Sequence, residues 1–314
     1  MVAQTDNWNL NPWDFVAHPE VWLLVGFLTA AYLYTVRVIG PKAVPVGQPV
    51  VTRRNLYAFG AAMALLWVSS DWPVHDISED YLYSVHMVQH MALSFFIPPL
   101  ALLATPAWLM RILIGDGGLY RAVRWLTRPV AAGVVFNGVA MLTHIPLLVN
   151  ASVGDGFWNG ALHYGLHVAV VVTSLLMWMP VVGPIEEFRI GLVGKMIYLF
   201  AQSIVPTIPA AWLTFAEGTV YTAYEVPLRL WGISVASDQQ LAGAFMKLGG
   251  GIFLWGLVIY YFTQFAKDFR TSHDYRRGSR MPDAEIVGNA EVPLTTADVE
   301  RAFAETTPAR DDRD

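Results

Sequence analysis

The chain has 314 residues, 55% of them hydrophobic and only 14% charged, with a formal net charge of −5 and a mean hydropathy of +0.42. A soluble domain carries about 25% charged residues, so an ordinary soluble core is excluded and the composition selects an all-α, polytopic membrane protein, in which seven spans of about 20 residues would fit. The absence of cysteine excludes disulfides, thiolate metal sites, iron–sulfur clusters and CxxC chaperone chemistry, and leaves His, Met, Asp and Glu as metal ligands.

Residues 1–20 include Trp8, Trp13 and three acids and lack the basic start of a signal peptide; they are expected to form a short extracytoplasmic tail. The membrane domain is expected over residues 21–265, with seven apolar stretches at 21–39, 56–70, 83–104, 130–149, 162–179, 197–215 and 241–265. None contains Asp or Glu, and helices satisfy the backbone in lipid where open strands do not. The second stretch is the shortest. Trp22, Trp67, Trp108, Trp158 and Trp212 lie near stretch ends, as interfacial aromatic belts do.

Charge sorting gives the orientation. Arg37, Lys42, Arg53 and Arg54 bracket the first connection, Arg111, Arg121, Arg124 and Arg128 fill the third, Arg189 and Lys195 sit in the fifth, and eight basic residues follow Phe265. The intervening connections and the N-terminal tail hold only Arg229 among many acids. Under the positive-inside rule the N-terminus is outside and the C-terminus cytoplasmic. Residues 266–314 are polar and without apolar periodicity, and are expected to form a disordered cytoplasmic tail. Pro98 and Pro99 in the third stretch, and Pro206 and Pro209 in the sixth, leave carbonyls without N–H partners, so kinks are expected there, with a groove or cavity near Gln202 and Thr207.

Six of the eight histidines fall at the outer ends of the stretches or in an outer connection in this topology. His86 and His90 open the third stretch, His163 and His167 open the fifth, His144 lies near the outer end of the fourth, and His75 is in the second connection with Asp71. Residues at i and i+4 share a helix face, so each His pair is a ready bidentate half-site, and the two pairs could complete a four-nitrogen site with His144 near it. The alternative is that each imidazole bonds a backbone carbonyl or a polar neighbour such as Asn137 or Gln89. Met87, Met91 and Met141 lie close to this layer and could add thioether ligands, although packing is the more common use of such residues.

The His86–His90 and His163–His167 runs have the frame of HExxH without its glutamate, so a zinc protease or other metal hydrolase is disfavoured. Two His one turn apart on one helix cannot take opposite faces of a haem, but one His from each of two helices could; a haem-binding electron carrier stays open, as does a metal-free scaffold. Imidazole with nearby Met suits copper. Lys247, inside the seventh stretch, is expected to snorkel to the outer interface; a retinal Schiff base there would need a counter-ion, and the third stretch has no carboxylate. No phosphate loop, nucleophile elbow or basic nucleic-acid surface appears.

Asp71-Trp72-Pro73 with His75, the His86-Met87-Val88-Gln89-His90 run leading to Pro98-Pro99 and Thr105-Pro106, His144-x-Pro146 and His163-x3-His167 together resemble the CtaG family of seven-span cytochrome c oxidase assembly factors. The resemblance covers roughly residues 21–265; the His-Met-x-Gln-His run before the proline pair is its most specific part. It implies a non-catalytic, multi-pass protein of the bacterial plasma membrane. Its implied role is to help copper reach oxidase subunits, subunit I in particular, after an extracytoplasmic copper donor supplies it. On this reading copper enters past Asp71 and His75 and rests on His86, His90, His163 and His167.

Overall fold

The computed structural model describes residues 11–153, 156–226 and 229–278, with side chains described to Thr271, and a few residues beyond. Residues 1–10 and most of the expected C-terminal tail lie outside the described residues. The chain divides into two units, residues 1–265 and 266–314.

Among the described residues the regular structure is all helical. Helix α1 spans Pro19–Ala43, α2 Arg53–Ser70, α3 Tyr83–Ala104, α4 Ala107–Ile114, α5 Gly118–Leu126, α6 Pro129–Leu142, α7 Pro146–Ser152, α8 Phe157–Val182, α9 Leu192–Ile204, α10 Thr207–Thr214 and α11 Val235–Gly278. Five helices are long and apolar enough to cross a membrane: α1, α3, α8, α9 with α10, and α11; the count is six if α5 and α6, bent by 79°, form one span. They are consistent with a multi-pass membrane protein.

This differs from the seven stretches expected, at two places with identifiable causes. The second stretch is helical, but Arg53, Arg54 and Asn55 occupy the first turn of α2 and Ser69 and Ser70 its last, so its apolar length is short. Its start is fixed by a capping box, in which Thr52 Oγ1 accepts from the Asn55 amide and Asn55 Oδ1 from the Thr52 amide. The fourth stretch is cut in two because Pro146 holds Ile145 extended (φ −71°, ψ 126°). What remains is the 14-residue α6, about 21 Å long and shorter than a ~30 Å hydrocarbon core.

α3 packs between α2 and α8, and α8 also lies against α6. The proline pair in α3 does not break it. A π-turn at Ala92–Phe96 absorbs the misfit, as such turns do inside longer helices. The carbonyl of Ser94, which an amide at position 98 would have bonded, accepts instead from the indole of Trp178 on α8 at 2.9 Å. A missing backbone donor thus becomes an interhelical tie. At the sixth stretch the chain does break, between α9 and α10. The space near Gln202 is filled: Gln202 is buried, lies where a side chain at Gly133 would have to be, and accepts from Asn137 Nδ2 at 2.6 Å.

α11 reaches α10 through Gly243, where an added Cβ would stand 2.5 Å from the Ala210 carbonyl oxygen and 2.8 Å from the Thr214 amide nitrogen. Backbone cannot yield as a flexible side chain can. Gly243→Ala is therefore expected to lower stability by about 1–3 kcal/mol, the usual cost of overpacking, whereas Gly251→Ala, with nothing within 4 Å, is expected to be neutral or stabilising through helix propensity. Thermal melts of the two detergent-purified variants check this, and equal melting temperatures would refute it.

Candidate metal centre

α3 and α8 pack side by side, and each carries two imidazoles one turn apart on one face. The result is a ladder. His86 and His163 have ring centroids 5.6 Å apart, and His90 and His167 4.7 Å apart. Within each helix the rungs are close, 4.5 Å from His86 to His90 and 4.2 Å from His163 to His167. At the second rung the Nε2 atoms of His90 and His167 are 3.0 Å apart.

A carboxylate completes the first rung. Glu79 lies on a π-turn, Ile77–Tyr81, just ahead of α3; its Oε1 is 2.9 Å from His163 Nε2 and 3.4 Å from His86 Nδ1. Candidate ligand atoms of Glu79, His86, His163 and His167 all lie within 4.8 Å of one another. Glu79 Oε1, His86 Nδ1 and His163 Nε2 are buried and meet as ion-pair contacts, with no hydrogen bond of standard geometry to any of the three. Buried polar atoms are rarely left so. Donors 2.0–2.1 Å from one tetrahedral ion are spaced about 3.3 Å apart, near the 2.9 and 3.4 Å that separate Glu79 Oε1 from the two imidazole nitrogens. The four residues could hold a shared cation.

Charge favours the same occupant. Burial alone would raise the Glu79 carboxyl, but the imidazoles of His163 and His86 hold it well below the usual carboxylate range, so it is anionic at neutral pH. Beside the rings is a cavity of about 20 Å³ lined by the four imidazoles, Thr143, Ser152 and Tyr224 among others, room for about one water molecule or ion. Tyr83 stacks on His86 (5.6 Å, 20°), and the Tyr224 hydroxyl donates to the Ser78 carbonyl beside Glu79 at 3.3 Å. Gln89 is committed elsewhere: it donates to the Ser69 carbonyl and accepts from Ser78. Asn137 likewise serves Gln202, so neither amide takes up an imidazole of the ladder.

The other expected residues lie around this cluster rather than in it. His144 Nδ1 is 2.6 Å from the Ala140 carbonyl, while its Nε2 is buried and without a partner. His75 packs edge-on against His18, with ring centroids 4.7 Å apart, and its Nδ1 is also orphaned. Burial pushes the His75 imidazole below its usual range despite the nearby Glu79 charge. Asp71 is occupied by indoles: its Oδ2 accepts from Trp22 and from Trp67, and its Oδ1 from the Trp72 amide. Met87 is buried among Tyr83, Val149, Leu213, Tyr221 and Tyr224, and Met91 packs toward Gly249. Met141 is half-buried on α6, and none of the three methionines lines the histidine cavity.

Sequence reasoning passed over Glu79 and His18. The signal for Glu79 was present, since positions 79, 86 and 90 have the i, i+7, i+11 spacing of one helix face, but Leu82 interrupts the helix between them. His18 lies at the start of α1 and bridges Glu20 at 3.2 Å and Asp76 at 3.1 Å, tying α1 to the turn that carries Glu79. Burial would lower its pKa, but the two carboxylates raise it overall.

The model of a family described as cytochrome c oxidase caa3 assembly factor matches residues 30–268. Uncharacterized proteins of Mycobacterium bovis and Mycobacterium tuberculosis are each 28% identical over 194 residues, which is 56% of this chain and 28% of the relative. The chain therefore spans little more than a quarter of the length of these curated relatives. No solved structure matches it.

Proposed function

The chain belongs to the caa3 cytochrome c oxidase assembly factor family, and from that premise we propose that it receives copper on the Glu79–histidine cluster and aids its delivery to the oxidase. The family's role is assembly rather than catalysis, and no reaction is assigned to the cluster. Its occupant is cargo. The observation that carries this reading is the convergence of three buried donor atoms, with Glu79 Oε1 2.9 Å from His163 Nε2 and 3.4 Å from His86 Nδ1 and no hydrogen bond of standard geometry to any of them. Imidazole and carboxylate donors suit a divalent first-row ion, and copper(II) stands highest in that affinity order. The second rung, His90 with His167, offers nitrogen alone and provides the next resting place.

The finer topology belongs to the same proposal. With α2 and the bent α5–α6 pair also crossing, the chain has seven spans, the basic connections lie in the cytoplasm of a bacterial cell and the ladder opens to the outside. The sorting of Arg and Lys between alternate connections supports this. Copper then arrives from an extracytoplasmic donor past His75 and passes to oxidase subunit I docked in the bilayer. A bis-imidazole haem fits less well. Axial nitrogens on one iron would be about 4 Å apart, whereas His90 and His167 approach to 3.0 Å beside a cavity of about 20 Å³.

Elemental analysis and absorption spectra of detergent-purified protein test the proposal. Near-stoichiometric copper without a Soret band is expected, and it should vanish in the His86→Ala/His90→Ala/His163→Ala/His167→Ala variant, whose helicity is checked by circular dichroism. Protons compete with metal for the imidazole lone pairs, so acidification from neutrality to about pH 5 should release the ion. Wild type that takes up no copper, or copper held unchanged at that acidity, would refute histidine ligation.

A further inference from the structure

Lys247 is the one charged side chain on α11 between Asp238 and Lys267. It lies nine residues beyond Asp238, which is fixed against the start of α3 by bonds from the Tyr83 and Ser84 amides. It is six residues inside the apolar stretch 241–265, about 9 Å along the helix from the start of that stretch. Nζ donates to Thr207 Oγ1 at 2.6 Å, on the first residue of α10 beyond the break in the sixth stretch. Lys247 is nonetheless exposed on the outside of the bundle, and no carboxylate among the described residues pairs with it.

The surroundings are apolar and also exposed. Ile204 and Ile208, near Thr207 in sequence, and Leu248 and Ile252, near Lys247, are all exposed. A charge facing hydrocarbon is costly, and one neutral hydroxyl does not neutralise it. What the site lacks is a negative charge from outside the chain, offered at the same depth. We propose that the Lys247–Thr207 pair is the docking point for a transmembrane helix of a partner protein that carries an Asp or Glu in mid-span. The ridges of Ile204, Ile208, Leu248 and Ile252 supply packing for that helix, and the ammonium supplies register and selectivity. A lipid phosphate is the competing occupant, and a preference for the Asp peptide in phosphatidylcholine vesicles, where that phosphate is abundant, separates the two. The inference rests on the membrane-crossing helices and not on copper.

The full chain, labelled and reconstituted in phosphatidylcholine vesicles, is titrated by energy transfer with a synthetic Leu-rich transmembrane peptide bearing one central Asp, and with its Asn and Leu counterparts. The Asp peptide is expected to associate about 10-fold more tightly than the Leu peptide, in line with ~1–2 kcal/mol for a polar contact between membrane helices. Lys247→Met should erase that preference and Thr207→Val should reduce it, with both variants keeping the wild-type melting temperature. Equal binding of the Asp and Leu peptides to wild type, an Asn peptide as good as the Asp peptide, or a preference that survives Lys247→Met would overturn the proposal. Copper content, measured on the same samples, is expected to be unchanged, so loss of the copper reading would leave this result standing.

Discussion

Glu79→Gln is expected to weaken copper(II) binding about 100-fold or more while leaving the melting temperature close to wild type. Gln has the same shape and can still offer a carbonyl oxygen, so the change removes the charge and little else. The charge matters because Glu79 is the one carboxylate in the cluster and is held ionised by His163 and His86. Outer groups that merely orient metal ligands are worth about 10–100-fold in affinity, and a direct anionic donor should reach the upper end of that range or pass it. The pH sign follows from the same depression. A carboxyl with a lowered pKa contributes above its ordinary range and loses its contribution only as pH falls through the lowered value, so release near pH 5 must come from the imidazoles. Glu79→Gln should therefore lower affinity across the neutral range without moving the acid limb of the release curve. Asp71→Asn is the control, because Asp71 serves the indoles of Trp22 and Trp67, and it should change copper affinity less than a few fold. Isothermal titration with copper(II) and a competing chelator decides the matter; equal affinities for Glu79→Gln and Asp71→Asn would remove Glu79 from the site.

The apolar runs made most helices legible, and the i,i+4 spacing made the two imidazole pairs legible, because both signals are local. The stretch at 83–104 coincides with α3. What local patterns could not carry is the set of contacts that join distant segments. Trp178 takes the carbonyl that Pro98 leaves free, 84 positions away in sequence from Ser94. His18 reaches Asp76 across 58 positions. Glu79 does not stand out in the sequence, since its helical spacing to His86 is masked by the break at Leu82. Pro146 belongs to the His144-x-Pro146 motif, yet its stronger effect is on the backbone before it, where it holds Ile145 extended and shortens the fourth stretch. The errors share one cause: hydrophobicity marks which segments can be helices, whereas proline geometry and long-range hydrogen bonds decide where they stop.

Asp238 is the largest such long-range effect, and Asp238→Ala is expected to lower both stability and copper affinity. Its carboxylate is fully buried and accepts from the amides of Tyr83 at 2.7 Å and Ser84 at 3.0 Å. These are the first two donors of α3, which have no intrahelical partner, and Leu82 at the cap position has no acceptor of its own. α11 therefore caps α3 from 154 to 155 positions away, and the negative charge also meets the positive end of the helix dipole. Removing it strands two buried N–H groups at about 1–3 kcal/mol each. A loss of about 3 kcal/mol would lower the melting temperature by roughly 6–12 °C if unfolding is cooperative. His86 is one turn beyond Tyr83, so fraying of that first turn displaces it from Glu79 and His163, and copper affinity should fall about 10-fold, as when a group orienting a ligand is lost. Asp238→Asn should lie between, because an amide can accept one of the two bonds but turns its own N–H₂ toward the other donor. The two variants then separate the two roles: Glu79→Gln loses metal without loss of melting temperature, and Asp238→Ala loses both. An Asp238→Ala protein that melts and binds copper like wild type would mean that α3 holds its first turn, and His86 its place, without α11.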